Sequence, residues 1–295
     1  MTRRIARVGL VAKPRVDAAA SVLRDLTRWL EQRGIAVVFE TDTAQLAGAP
    51  ADAAVETKEE LPRHCDLIVL LGGDGTLIGM ARRVARAAAD VPIAGVNFGS
   101  LGFLTEITLA DLYPSLEAIL AGTAPIDDRM LLRAKTMRAG QTFADELVLN
   151  DVVITKGALS RIIELSVSIS GDAVMRVRAD GLIIATPTGS TAYNLAAGGP
   201  IVHPSMDAFV LTPIAPHTLT NRPIVIPTER DVRVVSTGTN AGDEVYVTID
   251  GQTGFGMQQG DEIAIAKSER PMRLIRATSR SYFEVLRQKL KWNER

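Results

Sequence analysis

The feature of this sequence that most constrains its fold is a change in hydrophobic period near residue 125. Before that point, short apolar runs alternate with longer segments whose apolar residues recur at helical spacing. After it, short runs of alternating apolar and polar residues follow one another with little helix between them. Since a period near 3.6 residues is typical of a helix and a period of two is typical of a strand, the chain predicts an α/β unit followed by a β unit.

The first part of the chain predicts a parallel sheet with helices on both faces. Strands are expected at 5–12, 35–39, 67–71 and 93–96, and helices at 16–33, 77–89 and 109–120. The weakly patterned residues 42–63 predict a loop with one short helix. Strands and helices that alternate in this way favour parallel pairing, because each crossover brings the chain back to the same edge of the sheet.

The remainder predicts a mostly antiparallel, sandwich-like β domain of two packed sheets. Its strands are expected at 143–155, 161–170, 173–178, 182–185, 224–227, 232–236, 245–249 and 262–266, and the Pro-rich stretch 204–227 predicts ordered loops between strands. We therefore divide the chain into domains at 1–125 and 126–266 and a C-terminal segment at 267–295. Phe283, Leu286 and Leu290 recur at helical spacing in that segment, which is expected to pack back on the first domain.

Composition and charge exclude several classes of function. With 33 basic and 34 acidic side chains the net charge is −1, and aromatic residues make up 4% of the chain. The chain thus offers no overall positive field and few stacking platforms for nucleic acid, which is not an expected partner. No apolar stretch approaches the roughly 20 residues that cross a bilayer, so no membrane association is expected. The single cysteine, Cys65, cannot form an intramolecular disulfide, which favours a reducing, cytoplasmic location.

The first motif is a glycine-rich turn that follows the apolar strand 67–71 directly. Gly72-Gly-Asp-Gly-Thr76 lets backbone N–H groups approach a phosphate, and the helix that follows adds its partial positive charge at the same place. The string is neither a Walker A loop nor the standard dinucleotide fingerprint. Asp74 would repel a phosphate unless it contacts a metal ion or a hydroxyl group, so it is a candidate proton acceptor in phosphoryl transfer; the alternative is an ordinary turn residue.

Two further polar stretches lie on strands of the β domain. The strand 180–185 leads into Thr-Pro-Thr-Gly-Ser-Thr-Ala-Tyr193, whose four serine and threonine hydroxyls, at Thr186, Thr188, Ser190 and Thr191, predict a polar ligand surface. Asn150 and Asp151 interrupt the apolar run 147–154, which suggests contacts to an adenine edge and to ribose hydroxyls or, equally, a bulge or turn. In Asp250-Gly-Gln252 the Asp-Gly pair is typical of a hairpin turn.

Taken together, these stretches resemble the bacterial type of the NAD kinase family. The resemblance rests on the 72–76 turn, on Asn150-Asp151, and on Asp180-Gly-Leu-Ile-Ile-Ala-Thr-Pro-Thr-Gly-Ser-Thr-Ala-Tyr193 with the Ala-Gly-Gly-Pro200 that follows. Asn-Phe-Gly-Ser-Leu-Gly-Phe-Leu at 97–104 with Thr105, and Pro-Ile-Ala-Pro-His at 213–217, are further similarities. Diacylglycerol-type lipid kinases and 6-phosphofructokinases share the glycine turn alone, whereas the Thr-Pro-Thr-Gly-Ser-Thr-Ala-Tyr string is far more specific.

The resemblance implies ATP-dependent phosphorylation of the 2′-hydroxyl of the adenosine ribose of NAD, giving NADP and ADP. It implies a divalent metal cation, Mg²⁺, bound with ATP, and Asp74 as the general base. The residues it implies for the dinucleotide site are Asp74, Gly75, Asn150, Asp151, Arg161, Arg178, Asp180, Thr191, Ala192, Tyr193, Asn194, Leu195, Ala196, Ala215 and Gln252. Asp151 departs from the family, where Glu is more common at this position, but the shorter acid can still accept a hydrogen bond from a ribose hydroxyl.

Members of the family are homodimers or homotetramers in which a neighbouring β domain helps to close the site, so the resemblance implies the same here. Two other interpretations stay open from the sequence. One is a lipid or sugar kinase that shares the glycine turn, and the other is a module that senses NAD(P) without catalysis. Retention of an acid at position 74 argues against a pure binder, because such a binder gains nothing from repelling phosphate.

Overall fold

The computed structural model describes residues 4–13, 17–99, 101–157, 162–218, 220–238, 244–276 and 280–292. The chain divides into two compact units, each with its own hydrophobic core. The first unit consists of residues 1–128 and 272–295, and the second of residues 129–271. The second unit is therefore inserted into the sequence of the first.

The first unit is built on a mostly parallel sheet with helices between its strands. Its strands before the insertion are β1 (Arg7–Ala12), β2 (Ala36–Glu40), β3 (Ala54–Glu56), β4 (Leu67–Leu71), β5 (Ile93–Asn97), β6 (Ile107–Thr108) and β7 (Ile126–Arg129). Its helices there are α1 (Asp17–Glu31), α2 (Thr41–Ala47), α3 (Leu61–His64), α4 (Asp74–Arg86) and α5 (Leu112–Leu120). The order β3-β2-β1-β4-β5 is parallel throughout, which confirms the predicted α/β fold.

Two local predictions for this unit need correction. Residues 42–63 form most of α2, the strand β3 and the short helix α3, rather than a loop with one short helix. Strand β3 was not predicted because it is only three residues long and largely exposed, so its sequence shows no hydrophobic period. Helix α4 begins at Asp74 and not at Leu77, because Gly73 is its N-cap and the helix starts inside the glycine turn.

The second unit consists of two six-stranded antiparallel sheets. The sheets have the orders β15-β14-β13-β10-β17-β18 and β12-β11-β16-β19-β8-β9. The strands are β8 (Leu132–Arg138), β9 (Gln141–Val148), β10 (Asp151–Lys156), β11 (Ile163–Ile169), β12 (Asp172–Ala179), β13 (Gly181–Ala185), β14 (Ala208–Ile214), β15 (Ile224–Pro227), β16 (Val232–Ser236), β17 (Val245–Ile249), β18 (Thr253–Met257) and β19 (Glu262–Lys267). Buried residues of both sheets form one cluster, as in a sandwich, and this confirms the predicted class.

The hydrophobic pattern did not predict three strands of the sandwich, and it predicted two others as a single strand. Strands β8, β14 and β18 were not predicted, and the run 143–155 is two strands, β9 and β10, separated by a turn at Leu149–Asn150. Strand β14 lies in the Pro-rich stretch expected to form loops, and Pro213 is part of it. Proline usually argues against a strand inside a sheet, so this sequence pattern was misleading.

The end of the chain returns to the first unit. Strand β20 (Met272–Ile275) pairs in parallel with β5 and lies between β5 and β7. Helix α7 (Tyr282–Leu290) follows it, with a capping box in which Ser281 and Glu284 satisfy each other's backbone N–H groups. The predicted helix is confirmed, and the predicted face is confirmed at the buried Leu286 but wrong at Phe283, which is 62% exposed. The half-buried Leu290 also belongs to the predicted face, and Tyr282 and Val285 are buried where Phe283 was expected.

Candidate active site

The glycine turn places an acidic residue at the first position of a helix. Strand β4 is fully buried and ends at Leu71, two glycines follow, and α4 begins at the half-buried Asp74. The first N–H groups of a helix have no partner inside it and carry partial positive charge. The carboxyl edge of this parallel sheet therefore presents backbone donors and one carboxylate together.

The Asp74 carboxylate is held by four hydrogen-bond donors. Its Oδ1 accepts from the N–H groups of Leu104 (3.1 Å) and Thr105 (3.0 Å) and from the Thr105 hydroxyl (2.9 Å), and its Oδ2 accepts from the Phe103 N–H (2.8 Å). A carboxylate has about four acceptor positions, two on each oxygen. Oδ2 thus has room for one more donor, such as a substrate hydroxyl.

Residues of the segment 97–105 surround the Asp74 carboxylate and fix its position. The Asn97 side chain donates to the Thr105 hydroxyl oxygen (3.0 Å), which directs the Thr105 proton toward Asp74. A Cβ atom on Gly102 would lie 2.1 Å from Asp74 Oδ1 and 2.3 Å from Thr105 Oγ1. Only glycine fits at position 102 while the carboxylate keeps its place.

Gly102→Ala is expected to lower turnover about tenfold, because the added methyl group must displace the Asp74 carboxylate from its donors. The variant should stay folded, since the displaced group is a side chain. Gly99→Ala is the matched control, because apart from its chain neighbours the nearest atom to its Cβ would be Asn97 Oδ1, at 4.0 Å. Steady-state kinetics on both variants measure the effect, and equal rates would contradict the steric argument.

In the second unit, the turn between β9 and β10 carries Asn150 and Asp151. A cavity of about 420 Å³ opens beside them. It is lined by Asn150, Asp151, Val153, Thr155, Ala192, Tyr193, Thr248, Asp250 and Gly251. Four residues implied by the resemblance, Asn150, Asp151, Ala192 and Tyr193, thus share one cavity with the Asp250 turn.

Asp151 is the buried acid of this cavity. Its exposed fraction is 4%, and burial, with the nearby charge of Asp250 as a second cause, raises the pKa of its carboxyl to about 7. Both effects disfavour the ionised form. The group therefore titrates near neutrality, unlike an ordinary aspartate.

Three of the four hydroxyl-bearing residues of the 186–191 loop, all but Thr191, do not contribute to the predicted ligand surface. Thr186, Thr188 and Ser190 are buried. The Thr186 hydroxyl donates to the Leu149 carbonyl (2.6 Å), and the Ser190 hydroxyl donates to the Pro187 carbonyl (2.6 Å). Backbone groups of a tight loop need partners when buried, and these short side chains supply them. The hydroxyls shape the loop instead of facing a ligand.

The Asn194 side chain is likewise used inside the protein. It is fully buried, donates to the carbonyls of Ser190 and Pro200 (3.0 Å each), and accepts from the Thr212 hydroxyl (2.6 Å). A Cβ on Gly199 would lie 2.1 Å from its oxygen. Asn194 therefore fixes helix α6 (Tyr193–Ala196), which follows the 3₁₀ turn Gly189–Thr191. Thr191 and Leu195 are half-buried and Ala196 is exposed.

Three other implied residues meet at the opposite end of β13. The Asp180 N–H donates to the Ile214 carbonyl next to Ala215, and the His217 N–H donates to the Arg178 carbonyl. The Asp180 carboxylate pairs with Lys156 (2.9 Å), and the Arg178 side chain pairs with Glu164 (3.0 Å). Because Asp151 lies opposite Ala185 and Thr155 opposite Gly181, the two clusters are separated by about 13 Å of strand.

The remaining implied residues are Gly75, which is exposed in the first turn of α4, and Gln252, which is exposed in the turn after Asp250. Arg161 lies outside the described residues. Sequence reasoning missed the backbone donors at 103–105 and the role of Asp250. The signal for the first was the glycine-rich 97–105 segment, and the signal for the second was the Asp-Gly turn.

Two structural features are missing from the described part of the chain. No helix there has the length and apolar character needed to cross a membrane. No group of three or more His, Cys, Asp or Glu side chains there is arranged to hold a metal ion.

Comparison with protein families assigns both units. The model of the ATP-NAD kinase N-terminal domain matches residues 8–124, and that of the ATP-NAD kinase C-terminal domain matches residues 149–277. Fold and site together define a two-domain kinase. Curated relatives narrow the class: the NAD kinase of Geotalea daltonii is 46% identical over 98% of this chain and 99% of its own, and that of Syntrophotalea carbinolica is 47% identical over the same shares. The chain belongs to the NAD kinase family.

Solved structures agree with this assignment. The structure of an NAD kinase from Archaeoglobus fulgidus in complex with ATP has a TM-score of 0.76 and 27% identity, and the match covers 97% of this chain and 98% of that one. Yeast NADH kinase complexed with NADH has a TM-score of 0.86 over 99% of this chain and 89% of its own. At 23% identity the yeast enzyme shows the fold alone.

Proposed function

We propose that this protein transfers the γ-phosphoryl group of ATP to the 2′-hydroxyl of the adenosine ribose of NAD, giving NADP and ADP. The observation that carries the proposal is the full-length similarity to NAD kinases, in a chain whose glycine turn holds the Asp74 carboxylate at a helix N-terminus. Diacylglycerol-type and sugar kinases share only the turn. The similarity to NAD kinases extends over both units of the chain.

The first unit supplies the chemistry in this proposal. Asp74 Oδ2 accepts the proton of the 2′-hydroxyl as the 2′-oxygen attacks the γ-phosphorus of ATP. The bond between the γ-phosphorus and the β–γ bridging oxygen breaks, and ADP leaves with its electron pair. Thr105 and the N–H groups of Phe103 and Leu104 hold the carboxylate so that it need not reorganise during the reaction. The N-terminus of α4 and the glycine turn favour the phosphate charge nearby.

The second unit supplies the dinucleotide contacts. In this proposal Asn150 pairs with the adenine edge, and the ionised Asp151 accepts from ribose hydroxyls. The other residues assigned to the dinucleotide are Asp74 and Gly75 in the first unit and Arg161, Arg178, Asp180, Thr191, Ala192, Tyr193, Asn194, Leu195, Ala196, Ala215 and Gln252 in the second. Because Asn194 is fully buried and its side chain is satisfied, in this proposal it supports the neighbouring residues that contact the dinucleotide.

Mg²⁺ fits the site as a companion of ATP. Mg²⁺ keeps several waters and is usually held by substrate phosphates with one or two carboxylates, so a dedicated cluster of protein ligands is not required. This agrees with the donor set of the described residues, which contains no such cluster. When bound, the ion would offset the phosphate charge and polarise the transferring group.

A homodimer or homotetramer is also part of the proposal. The cluster at Asp151 and the cluster at Asp180 lie at opposite ends of β10 and β13. A second copy that brings its Asp180 end to the Asp151 end of the first would unite them around one dinucleotide. The expected location is the cytoplasm, with neither a nucleic acid nor a membrane as partner.

One incubation tests the activity. The purified protein, ATP, Mg²⁺ and NAD are mixed, and NADP is measured with an NADP-specific dehydrogenase. We expect NADP to form with turnover and to depend on every component. Phosphate transfer to diacylglycerol or a hexose and none to NAD would replace the proposal with the lipid or sugar kinase interpretation, and binding of NAD without turnover would leave the sensing module.

A further inference from the structure

Asp250 is the only described aspartate with a left-handed backbone, and it occupies the turn between β17 and β18. Its φ angle is +51°, and it is 8% exposed. Its Oδ1 accepts from the N–H groups of Asn150 (2.7 Å) and Asp151 (3.2 Å), and its Oδ2 accepts from the N–H group of Leu149 (3.0 Å). One buried carboxylate thus holds three successive amides about a hundred residues earlier in the chain.

A fourth hydrogen bond runs in the opposite sense. The backbone N–H of Asp250 donates to the carbonyl of Asp151 (2.9 Å). Asp250 alone therefore binds all three N–H groups of the 149–151 turn and the carbonyl of Asp151, while Thr186 binds the carbonyls of Leu149 and Asn150. Three charge-assisted bonds are far more than a hairpin turn needs, since its own backbone already pairs through β17 and β18.

We propose that Asp250 is a positioning residue for the dinucleotide: it fixes the 149–151 backbone so that the side chains of Asn150 and Asp151 both face the cavity. This inference rests on the proposed function, because it deepens the role of the same cavity. In this proposal Asp250 acts through Asn150 and Asp151, the residues that are assigned the dinucleotide contacts.

The charge of Asp250 has a second effect on the same site. The titratable groups that face Asp151 across the cavity are Asp250, from the β17–β18 turn, and Tyr193, from α6. The nearest strand partners of Asp151 are Ala185 on β13 and, through Val152, Ile249 on β17, and none of these ionises. The pair of Lys156 and Asp180 lies at the far end of β10. Asp250 is thus the charge that opposes ionisation of Asp151.

Asp250→Asn tests both effects with little change of shape. Asparagine tolerates a positive φ, so the backbone is not strained, and its one carbonyl oxygen can replace only part of the acceptor set. The lost charge-assisted bond should raise KM for NAD about tenfold or more, with KM for ATP and kcat changed less. Because the opposing charge is gone, the fall in kcat/KM for NAD at low pH should move to lower pH.

The matched control is Asp261→Asn, since Asp261 is also a buried aspartate that closes a turn in the second unit, where it binds Arg138 (2.8 Å). It should lower the melting temperature and leave both KM for NAD and the position of the acid limb unchanged. A general loss of stability would move the kinetics of the two variants together. A change in KM for NAD and in the acid limb for Asp250→Asn but not for Asp261→Asn therefore indicates that Asp250 positions the site.

The outcomes separate this inference from the proposed function. If wild-type protein forms no NADP, the proposed function fails, and NAD affinity of both variants by calorimetry still decides the role of Asp250. If wild type is active and Asp250→Asn keeps the wild-type KM for NAD and the wild-type acid limb, the inference is overturned. Should that variant not fold, Asp250→Gly, which suits the positive φ and removes the carboxylate, replaces it in the same measurements.

Discussion

Asp74→Asn is expected to lower turnover with NAD by about a hundredfold to ten-thousandfold. The amide keeps the size of the carboxylate but cannot accept a proton from the 2′-hydroxyl. The donors at Leu104 and Thr105, which bind Oδ1, can still hold the one amide oxygen in place, so the turn should keep its shape. The Kd for NAD should stay within about twofold of wild type, because only the transition state needs the base.

The measurement pairs rapid single-turnover kinetics with calorimetric titration of NAD. Asp25→Asn is the control, because Asp25 lies on the exposed face of α1 and pairs only weakly with Arg28. It makes the same chemical change in the same unit and should leave both quantities unaltered. Near-normal turnover of Asp74→Asn would show that Asp74 is a turn residue and not the base.

Asp151→Asn is expected to raise the free energy of unfolding above neutral pH, by on the order of 4 kcal/mol at pH 9. In the folded protein the pKa of Asp151 is raised to about 7, above its ordinary value of 3.8. The folded state therefore binds the proton more tightly, and the stability that protonation contributes is present below about pH 4 and is lost as pH rises through 7. A neutral amide retains that stability at every pH, and the difference between the two pKa values sets the size of the effect.

Urea unfolding of wild type and variant across pH 4 to 9 checks this, and the two curves should converge at the acid end. Asp261→Asn provides a contrast of opposite sign. Burial by itself raises the pKa of Asp261, but the bonds from Arg138 and from the Gln258 N–H outweigh it and lower the pKa, so removal of that charge should destabilise the protein at neutral pH. Parallel curves for wild type and Asp151→Asn would contradict the burial argument.

A gain in stability at Asp151 should come with a loss of substrate affinity. The amide of Asp151→Asn can donate to Asp250 and so relieves the repulsion in the cavity, but it accepts a ribose hydroxyl less well than a carboxylate does. KM for NAD should rise while the protein becomes more stable. Strained groups of this kind are retained at sites where ligand contact requires them.

Local signals in the sequence were enough to locate the main elements and motifs. The fully apolar run of β4 and the glycines after it predicted a ligand turn, and the alternating runs of the second unit predicted most of its strands. Each of these depends on residues within about ten positions of one another. Element boundaries were less reliable, as the early start of α4 shows.

The parts that the sequence did not reveal depend on distant partners. The donors to Asp74 come from residues 29 to 31 positions later, and three of the four are backbone N–H groups, which every residue but proline has. The partners of Asp250 lie 99 to 101 positions earlier and are likewise amides. The residue types around a carboxylate or around its backbone donors do not indicate that the two will pair. The hydroxyl-rich loop misled for the related reason that short polar side chains satisfy buried backbone as readily as they bind ligands.

The position of β20 has a consequence for how the chain is made. The sheet of the first unit has β20 between β5 and β7, so a gap stays in it until residue 275 has left the ribosome. Residues 129–271 are synthesised before that strand and are contiguous, so the sandwich can fold first while the nascent α/β unit waits for its last strand. Premature termination after residue 271 would thus leave the inserted unit able to fold, but the unit that carries Asp74 would lack β20 and could not complete its sheet.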